Sequence, residues 1–277
     1  MVQRTFRFKR FKILQFTLLL LGAMIMMLPF WWMMLSSFKP ASELLQVPPT
    51  WFPKSFSLAN YKEVLEVMPF WHYLSNSVFI GVLNTFVGVL TSSLVGYVLA
   101  KYRFWGRKYV ISMILATMII PYQVLMIPLF TIMMDLGWID SYAVLTVPYF
   151  FNIFGIFLMR QFMLDVPNEL IEAAKMDGCS HFRIFFSIVL PVVRPALATL
   201  SILLFMESWD SFLWPLISVN SEKYMTLPIG LNSFLSEHFG RFDQLVTASV
   251  MSVLPMIIIF LIAQKSFIEG ISLTGSK

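Results

Sequence analysis

The stretch Asn168–Leu197, NELIEAAKMDGCSHFRIFFSIVLPVVRPAL, decides how the rest of the chain is read. It lies between long apolar runs, yet it carries Glu169, Glu172, Lys175, Asp177, His181, Arg183 and Arg194. So many charges do not belong in hydrocarbon, where each costs several kcal/mol to bury. The stretch reads as a structured loop on one face of a membrane.

Its local chemistry predicts a shape. Asn168 follows Pro167 and is placed to cap a helix. Glu169 and Glu172 fall in the first turn, where the helix dipole favours negative charge. Gly178 is suited to end that helix in the left-handed conformation. Ser180 is placed to cap a second short helix, with Phe182, Phe185, Phe186 and Val189 at helical spacing. Pro191 suits the first turn of the helix that follows. Ala173 and Ala174 leave a small surface for close approach. Two short helices with a sharp turn between them form a plausible plug for a soluble partner.

Working outward, 58% of the 277 residues are hydrophobic and 13% charged, and the mean hydropathy is +0.77. These values exceed the ordinary soluble range. Apolar runs of about twenty residues predict an all-α, polytopic membrane protein. The weak alternating segments of a barrel are absent. One cysteine, Cys179, excludes an internal disulfide and a cysteine-rich metal site.

Six membrane helices are expected. The basic head, with Arg4, Arg7, Lys9, Arg10 and Lys12, precedes an apolar run from Ile13 to Leu35 that is too long for a signal core. Residues 36–70, with five prolines, form a loop with a short helix from Asn60 to Val67, capped by Ser57 or Asn60; Trp51 and Phe52 suit the membrane interface. Helix two is expected from Trp71 to Ala100, helix three from Tyr109 to Met133 with kinks at Pro121 and Pro128, and helix four from Tyr142 to Phe162. Helix five follows the charged loop from Pro191 to Pro215; residues 216–245 are a second polar stretch, and helix six runs from Leu245 to Phe267. The expected division is thus 1–70 for the head, first helix and loop, 71–267 for a five-helix core containing the 168–190 loop, and 268–277 for the tail.

With this arrangement, fifteen of the twenty Lys and Arg residues fall on one side. That bias places both termini and the 168–190 loop in the cytoplasm. The net charge of +5 therefore reflects topology and not nucleic-acid binding.

The motif also carries a resemblance. Glu172-Ala173-Ala174, Gly178, nine intervening residues, then Ile188-Val189-Leu190-Pro191 resemble the EAA loop of ATP-binding-cassette importer permeases. Ser37-Phe38-Lys39-Pro40, Asn60-Tyr61, Asn76-Ser77, Gly96-Tyr97 through Lys101, Pro121 through Phe130, Trp209 through Pro215 and Gln264 through Lys277 are similar to the carbohydrate-uptake branch. The resemblance implies the type I importer permease fold in a bacterial inner membrane. It implies a coupling helix docked on an ATPase, using Glu172, Ala173, Ala174, Asp177, Gly178, Ile188, Leu190 and Pro191, with the tail contacting the ATPase pair. The implied partners are two cytoplasmic ATPase subunits holding ATP and magnesium, a second permease subunit, an extracytoplasmic solute-binding protein, a sugar and membrane lipid.

No GxxxxGK[ST] phosphate loop, HExxH or GxSxG occurs, so a transport subunit without its own active site or cofactor is expected. Asn84, Gln123 and Asn152 are candidates to meet sugar hydroxyls or to join helices. Glu207 and Asp210 are candidates to line the path or to be solvated acids at a helix end. Counted from Pro191, Glu207 lies about 24 Å along an unbroken helix. His72, His181 and His238 are too scattered for a metal site. Glycerol phosphate or another small polar solute is an alternative cargo, phosphate being disfavoured by the lack of Lys or Arg in the predicted helix cores. A membrane-embedded enzyme using Glu207 and Asp210 is the alternative from another class.

Overall fold

The computed structural model describes residues 2–236 and 241–274, and among them there is no strand. Four segments are long and apolar enough to cross a bilayer: Leu14–Ser36, Phe70–Lys101, Tyr142–Leu164 and Phe242–Leu261. Two bent helix pairs bring the number to six when each pair counts as one span. The chain divides into two compact units, Met1–Pro69 with Leu231–Leu254, and Phe70–Gly230 with Pro255–Lys277.

In the first unit, α1 runs from Val2 to Ser36, and its apolar side chains, such as Leu19, Ile25 and Met26, are exposed. After it come α2 (Ala41–Leu44) and α3 (Ala59–Val67). The Ser-Phe-Lys-Pro and Asn-Tyr pairs quoted above meet here. Asn60 donates to the carbonyls of Ser37 (2.9 Å) and Lys39 (2.8 Å), and Ser37 Oγ meets Tyr61 OH at 2.8 Å. Asn60 is therefore not a helix cap; Ser57 accepts from the Ala59 amide at 3.1 Å. Lys39 is buried, donates to the Thr50 carbonyl and lies 4.4 Å above the Trp32 ring. Its charge is thus spread over a carbonyl and an aromatic face. Burial alone would raise the Glu43 carboxyl. Hydrogen bonds from Thr50 and the Lys54 amide, with the charges of Lys39 and Lys54, hold it below its ordinary value instead.

In the second unit, α4 (Phe70–Lys101) is one continuous helix. It is followed by α5 (Arg107–Thr117), α6 (Tyr122–Asp135), α7 (Tyr142–Thr146) and α8 (Ile153–Leu164). Then come α9 (Asn168–Met176), α10 (His181–Ile184), one π turn at Phe185–Val189, and α11 (Leu190–Val192). The remaining helices are α12 (Arg194–Trp209) and α13 (Leu213–Ser218), with α14 (Leu227–Ser236) and α15 (Phe242–Thr274) each divided between the two units.

α4 packs along α8 and α12. Close approach is possible at Gly96, where a Cβ would lie 2.9 Å from the Arg160 backbone nitrogen and 3.0 Å from Met159 Cβ. Asn84, buried in α4, donates to the Leu145 carbonyl (3.1 Å) and to Ser208 Oγ (3.0 Å), joining three helices. Buried Trp214 donates to the Val144 carbonyl at 2.8 Å and anchors a core with Ile80, Met126, Met133 and Leu145.

Several expected helices are broken. Helix three is two helices meeting at 103°, with the break at residues 118–121. Pro121, extended at φ −60° and ψ 135°, supplies no amide and disfavours helix in the residue before it. Pro128 lies inside α6. Helix four gives way at Val147–Tyr149 to a 3-10 turn containing Pro148, and restarts at Asn152, whose side chain accepts from the Gly155 amide at 2.7 Å. Helix five turns by 85° at Val193, between Pro191 and Pro195, and stops again at Asp210. The polar stretch 216–245 contains a 3-10 turn at Glu222–Tyr224 and α14. Helix six extends to Thr274, through most of the expected tail. His238 and residues 275–277 of the tail lie outside the described residues.

Candidate functional site

Two regions of the second unit bring sequence-predicted residues together. The first is the charged segment. α9 begins at Asn168 with Pro167 before it, and Asn168 is not a cap: its side-chain oxygen accepts from Lys101 Nζ at 2.9 Å. At the other end, the amides of Gly178 and Cys179 donate to the carbonyls of Lys175 and Ala174, both at 3.0 Å. Gly178 has φ +76°, the left-handed conformation that a side chain would oppose. Ser180 caps α10 by accepting from the Arg183 amide at 3.4 Å.

Ile171, Ala174, Ile184, Phe185 and Val189 are buried in a core shared with Tyr97, Met159, Met163 and Leu200. Each large apolar residue buried here contributes about 2 kcal/mol. The expected stripe Phe182, Phe185, Phe186, Val189 divides: Phe185 and Val189 are buried, whereas Phe182 and Phe186 are exposed. The π turn adds residues per turn and shifts the face that points inward.

The coupling candidates divide in the same way. Glu172, Ala173, Asp177 and Gly178 are exposed and form an outward surface with Met176, which is 89% exposed. Ala174, Ile188 and Leu190 face the core, and Pro191 is exposed beside the bend.

The second region is a cavity of ≈ 510 Å³ at the breaks of the bent helices. Gln123, Asn152, Glu207 and Asp210, four of the five path candidates, line it. Asn84 does not, because its amide joins helices. Asn152 donates to Glu207 Oε2 at 3.0 Å while its own oxygen caps α8. Glu207 is thirteen residues from the start of α12 at Arg194, about 20 Å along that helix, and not on one continuous run from Pro191. Asp210 follows α12 directly and also faces the cavity.

Sequence reasoning did not single out Tyr122, Tyr149, Ser211 and Trp214 as lining residues. Tyr149 OH meets Ser211 Oγ at 2.8 Å, and the Tyr122 and Trp214 rings are 6.5 Å apart. Three of the four lie within the quoted runs Pro121–Phe130 and Trp209–Pro215, which pointed to them. The cavity thus combines carboxylates, amides and aromatic faces, a set that hydrogen-bonds hydroxyl groups and stacks on apolar ring faces.

Comparison with known proteins agrees with this architecture. Residues 88–272 match the family described as the binding-protein-dependent transport system inner membrane component. The chain is 37% identical over 280 residues to the arabinooligosaccharides transport system permease protein AraQ of Bacillus subtilis, covering 100% of both chains. It is 31% identical over 258 residues to the lactose transport system permease protein LacG of Rhizobium radiobacter, covering 93% of this chain and 94% of that one. Its fold is similar to a chain in the crystal structure of a bacterial ABC transporter involved in the import of the acidic polysaccharide alginate, with TM-score 0.82, 26% identity, and coverage of 94% and 97%. On its sequence and its broken-helix fold, this chain belongs to the family of inner membrane components of binding-protein-dependent transport systems.

Proposed function

We propose that this chain is a permease subunit of an ATP-driven carbohydrate importer, and that residues 168–190 couple it to a cytoplasmic ATPase. The observation that carries the coupling role is the division of that segment. One side is fixed in a core, and the other presents Glu172, Ala173, Asp177 and Gly178 as an exposed surface. An exposed, rigidly held helical surface is what a soluble partner needs in order to push on a membrane protein.

The machine has two membrane subunits, two ATPase subunits that bind ATP and magnesium, and an external solute-binding protein. The positive-inside bias supports cytoplasmic termini and a cytoplasmic 168–190 segment. ATP-driven closure of the ATPases moves this segment, and the membrane helices alternate between inward-open and outward-open states.

The cavity is the proposed sugar path on this side of the transporter. Tyr122 and Tyr149 offer faces for sugar rings, and Gln123, Asn152, Glu207 and Asp210 offer partners for hydroxyls. Among the described residues no Lys or Arg lines it, which weighs against glycerol phosphate. The names of the arabinooligosaccharide and lactose relatives support an oligosaccharide cargo.

Gentle extraction of the tagged chain, followed by mass spectrometry, tests the assembly. The expected result is co-purification of a cytoplasmic ATPase and a second permease. Isolation of the chain alone in every mild detergent would contradict the reading.

A further inference from the structure

Lys101 and Tyr102, consecutive residues at the end of α4, grip the charged segment on both sides of its turn. A lysine at the end of a membrane helix ordinarily extends its ammonium group into water or headgroups. Lys101 instead turns back onto the chain. Its Nζ donates to the Val166 carbonyl at 2.5 Å, the Leu164 carbonyl at 3.4 Å and Asn168 Oδ1 at 2.9 Å. The two carbonyls belong to the end of α8 and the link beyond it, where intrahelical donors run out. The ends of α4 and α8 and the start of α9 therefore meet at one nitrogen atom.

Tyr102 holds the other half. Its hydroxyl meets His181 Nδ1 at 2.7 Å, at the start of α10. Lys175 of α9 lies 5.8 Å from the Tyr102 ring centre, and the ring packs edge-on against Tyr97, whose ring packs on Phe185. None of the outward-facing residues Glu172, Ala173, Met176 and Asp177 takes part in these contacts.

We propose that Lys101 and Tyr102 form a strut that makes the 168–190 segment and α4 move as one body, with Lys101 the positioning residue on which coupling depends. The proposal rests on the coupling role proposed above. A push on the exposed face of α9 reaches α4 through the strut. α4, about 48 Å long, packs against α8, which Asn152 caps, and α12, which carries Glu207, and both residues line the cavity. The apolar core also holds the segment, but apolar contacts slide more readily than three directed bonds from one ammonium group.

The test uses the assembled transporter in a Cys179→Ser background, with spin labels at exposed positions 103 and 182 (Arg103→Cys and Phe182→Cys). One narrow distance peak is expected, unchanged by ATP with magnesium. Lys101→Met should broaden the peak and lower uptake and binding-protein-stimulated ATP hydrolysis at least tenfold, with basal hydrolysis within twofold. Lys101→Arg, which can reach the same carbonyls, should restore the narrow peak and most of the uptake. Tyr102→Phe should lower uptake two- to threefold. An ATP-dependent distance in the unsubstituted transporter, or an unchanged peak with full uptake in Lys101→Met, would overturn the strut. If Lys101→Met does not accumulate, Tyr102→Phe decides by the same two readings: no change in either refutes the proposal. The distance is read without ATPase activity. Absence of stimulated hydrolysis in the unsubstituted transporter would thus count against the coupling function, while the peak still decides the strut.

Discussion

α4 and the helices around it are built on opposite principles. α4 runs unbroken for 32 residues, whereas the α5–α6 pair bends by 103°, α7–α8 is interrupted by a 3-10 turn, and the α11–α12 pair bends by 85°. All three broken spans contribute to the cavity, through Tyr122, Gln123, Tyr149, Asn152, Glu207 and Asp210. The lesson concerns where irregular backbone is tolerated in a membrane. A break frees carbonyls and amides that lipid cannot satisfy, so breaks collect where they line a polar cavity or are capped, as Asn152 caps α8. The unbroken helix supplies the rigid spine that such breaks require.

The largest effect should come from damaging the spine. Gly96→Leu places a side chain where a Cβ alone would lie 2.9 Å from the Arg160 backbone nitrogen, and a backbone cannot move aside as a side chain does. The detergent-stable chain should fall at least tenfold by size-exclusion analysis. Gly22→Leu is the control, because nothing lies within 4 Å of that Cβ position, and it should leave the yield unchanged. Equal losses in the two variants would remove the distinction between α4 and an ordinary membrane helix.

Substitutions at the breaks should spare the fold and impair transport. Glu207→Lys, which replaces one of the cavity's two carboxylates with a cation, should abolish uptake at normal expression, while Glu207→Gln should raise the KM for sugar three- to tenfold. Wild-type uptake in Glu207→Lys would sever the link between this cavity and the cargo. Pro121→Ala should lower uptake several-fold by permitting helix across residues 118–121. Unchanged uptake would show that the break does not depend on that proline.

The smallest effect concerns Asp140, on the turn after α6. Ser221 donates its hydroxyl and amide to the carboxylate, and the Asn220 amide adds a third bond; together they outweigh desolvation and lower its pKa. A lowered folded-state pKa means that the stability is present above the unfolded value and lost as pH falls through the folded one. Thermal stability of the purified chain should therefore show no Asp140-dependent change between pH 7 and about 5, and Asp140→Asn should lower it slightly across that range. A variant whose deficit grows as pH rises from 5 to 7 would contradict this assignment.

The same comparison explains what was legible in the sequence. The 168–190 segment follows rules for chains exposed to water. Gly178 ends a helix in the left-handed conformation and Ser180 caps the next, as read. Asn168 was misread because its partner, Lys101, is 67 residues away. The apolar spans were legible as spans, because hydropathy averages over some twenty residues. For the same reason their breaks were not. Pro121 and Pro128 look alike in sequence, yet only Pro121 sits at a break. Gln123, Asn152, Glu207 and Asp210 were legible because polar groups stand out in apolar runs, whereas the aromatic groups beside them did not.

Binding-protein-stimulated ATP hydrolysis by the reconstituted transporter carrying Gly178→Asp tests the coupling role most directly. The left-handed backbone at residue 178 costs a non-glycine residue about 1–2 kcal/mol, too little to dislodge helices held by several buried apolar side chains. The chain should insert and purify normally while stimulation by loaded binding protein is lost, and Glu172→Lys should behave alike. Normal stimulation in the Gly178→Asp transporter would contradict a coupling role for this segment.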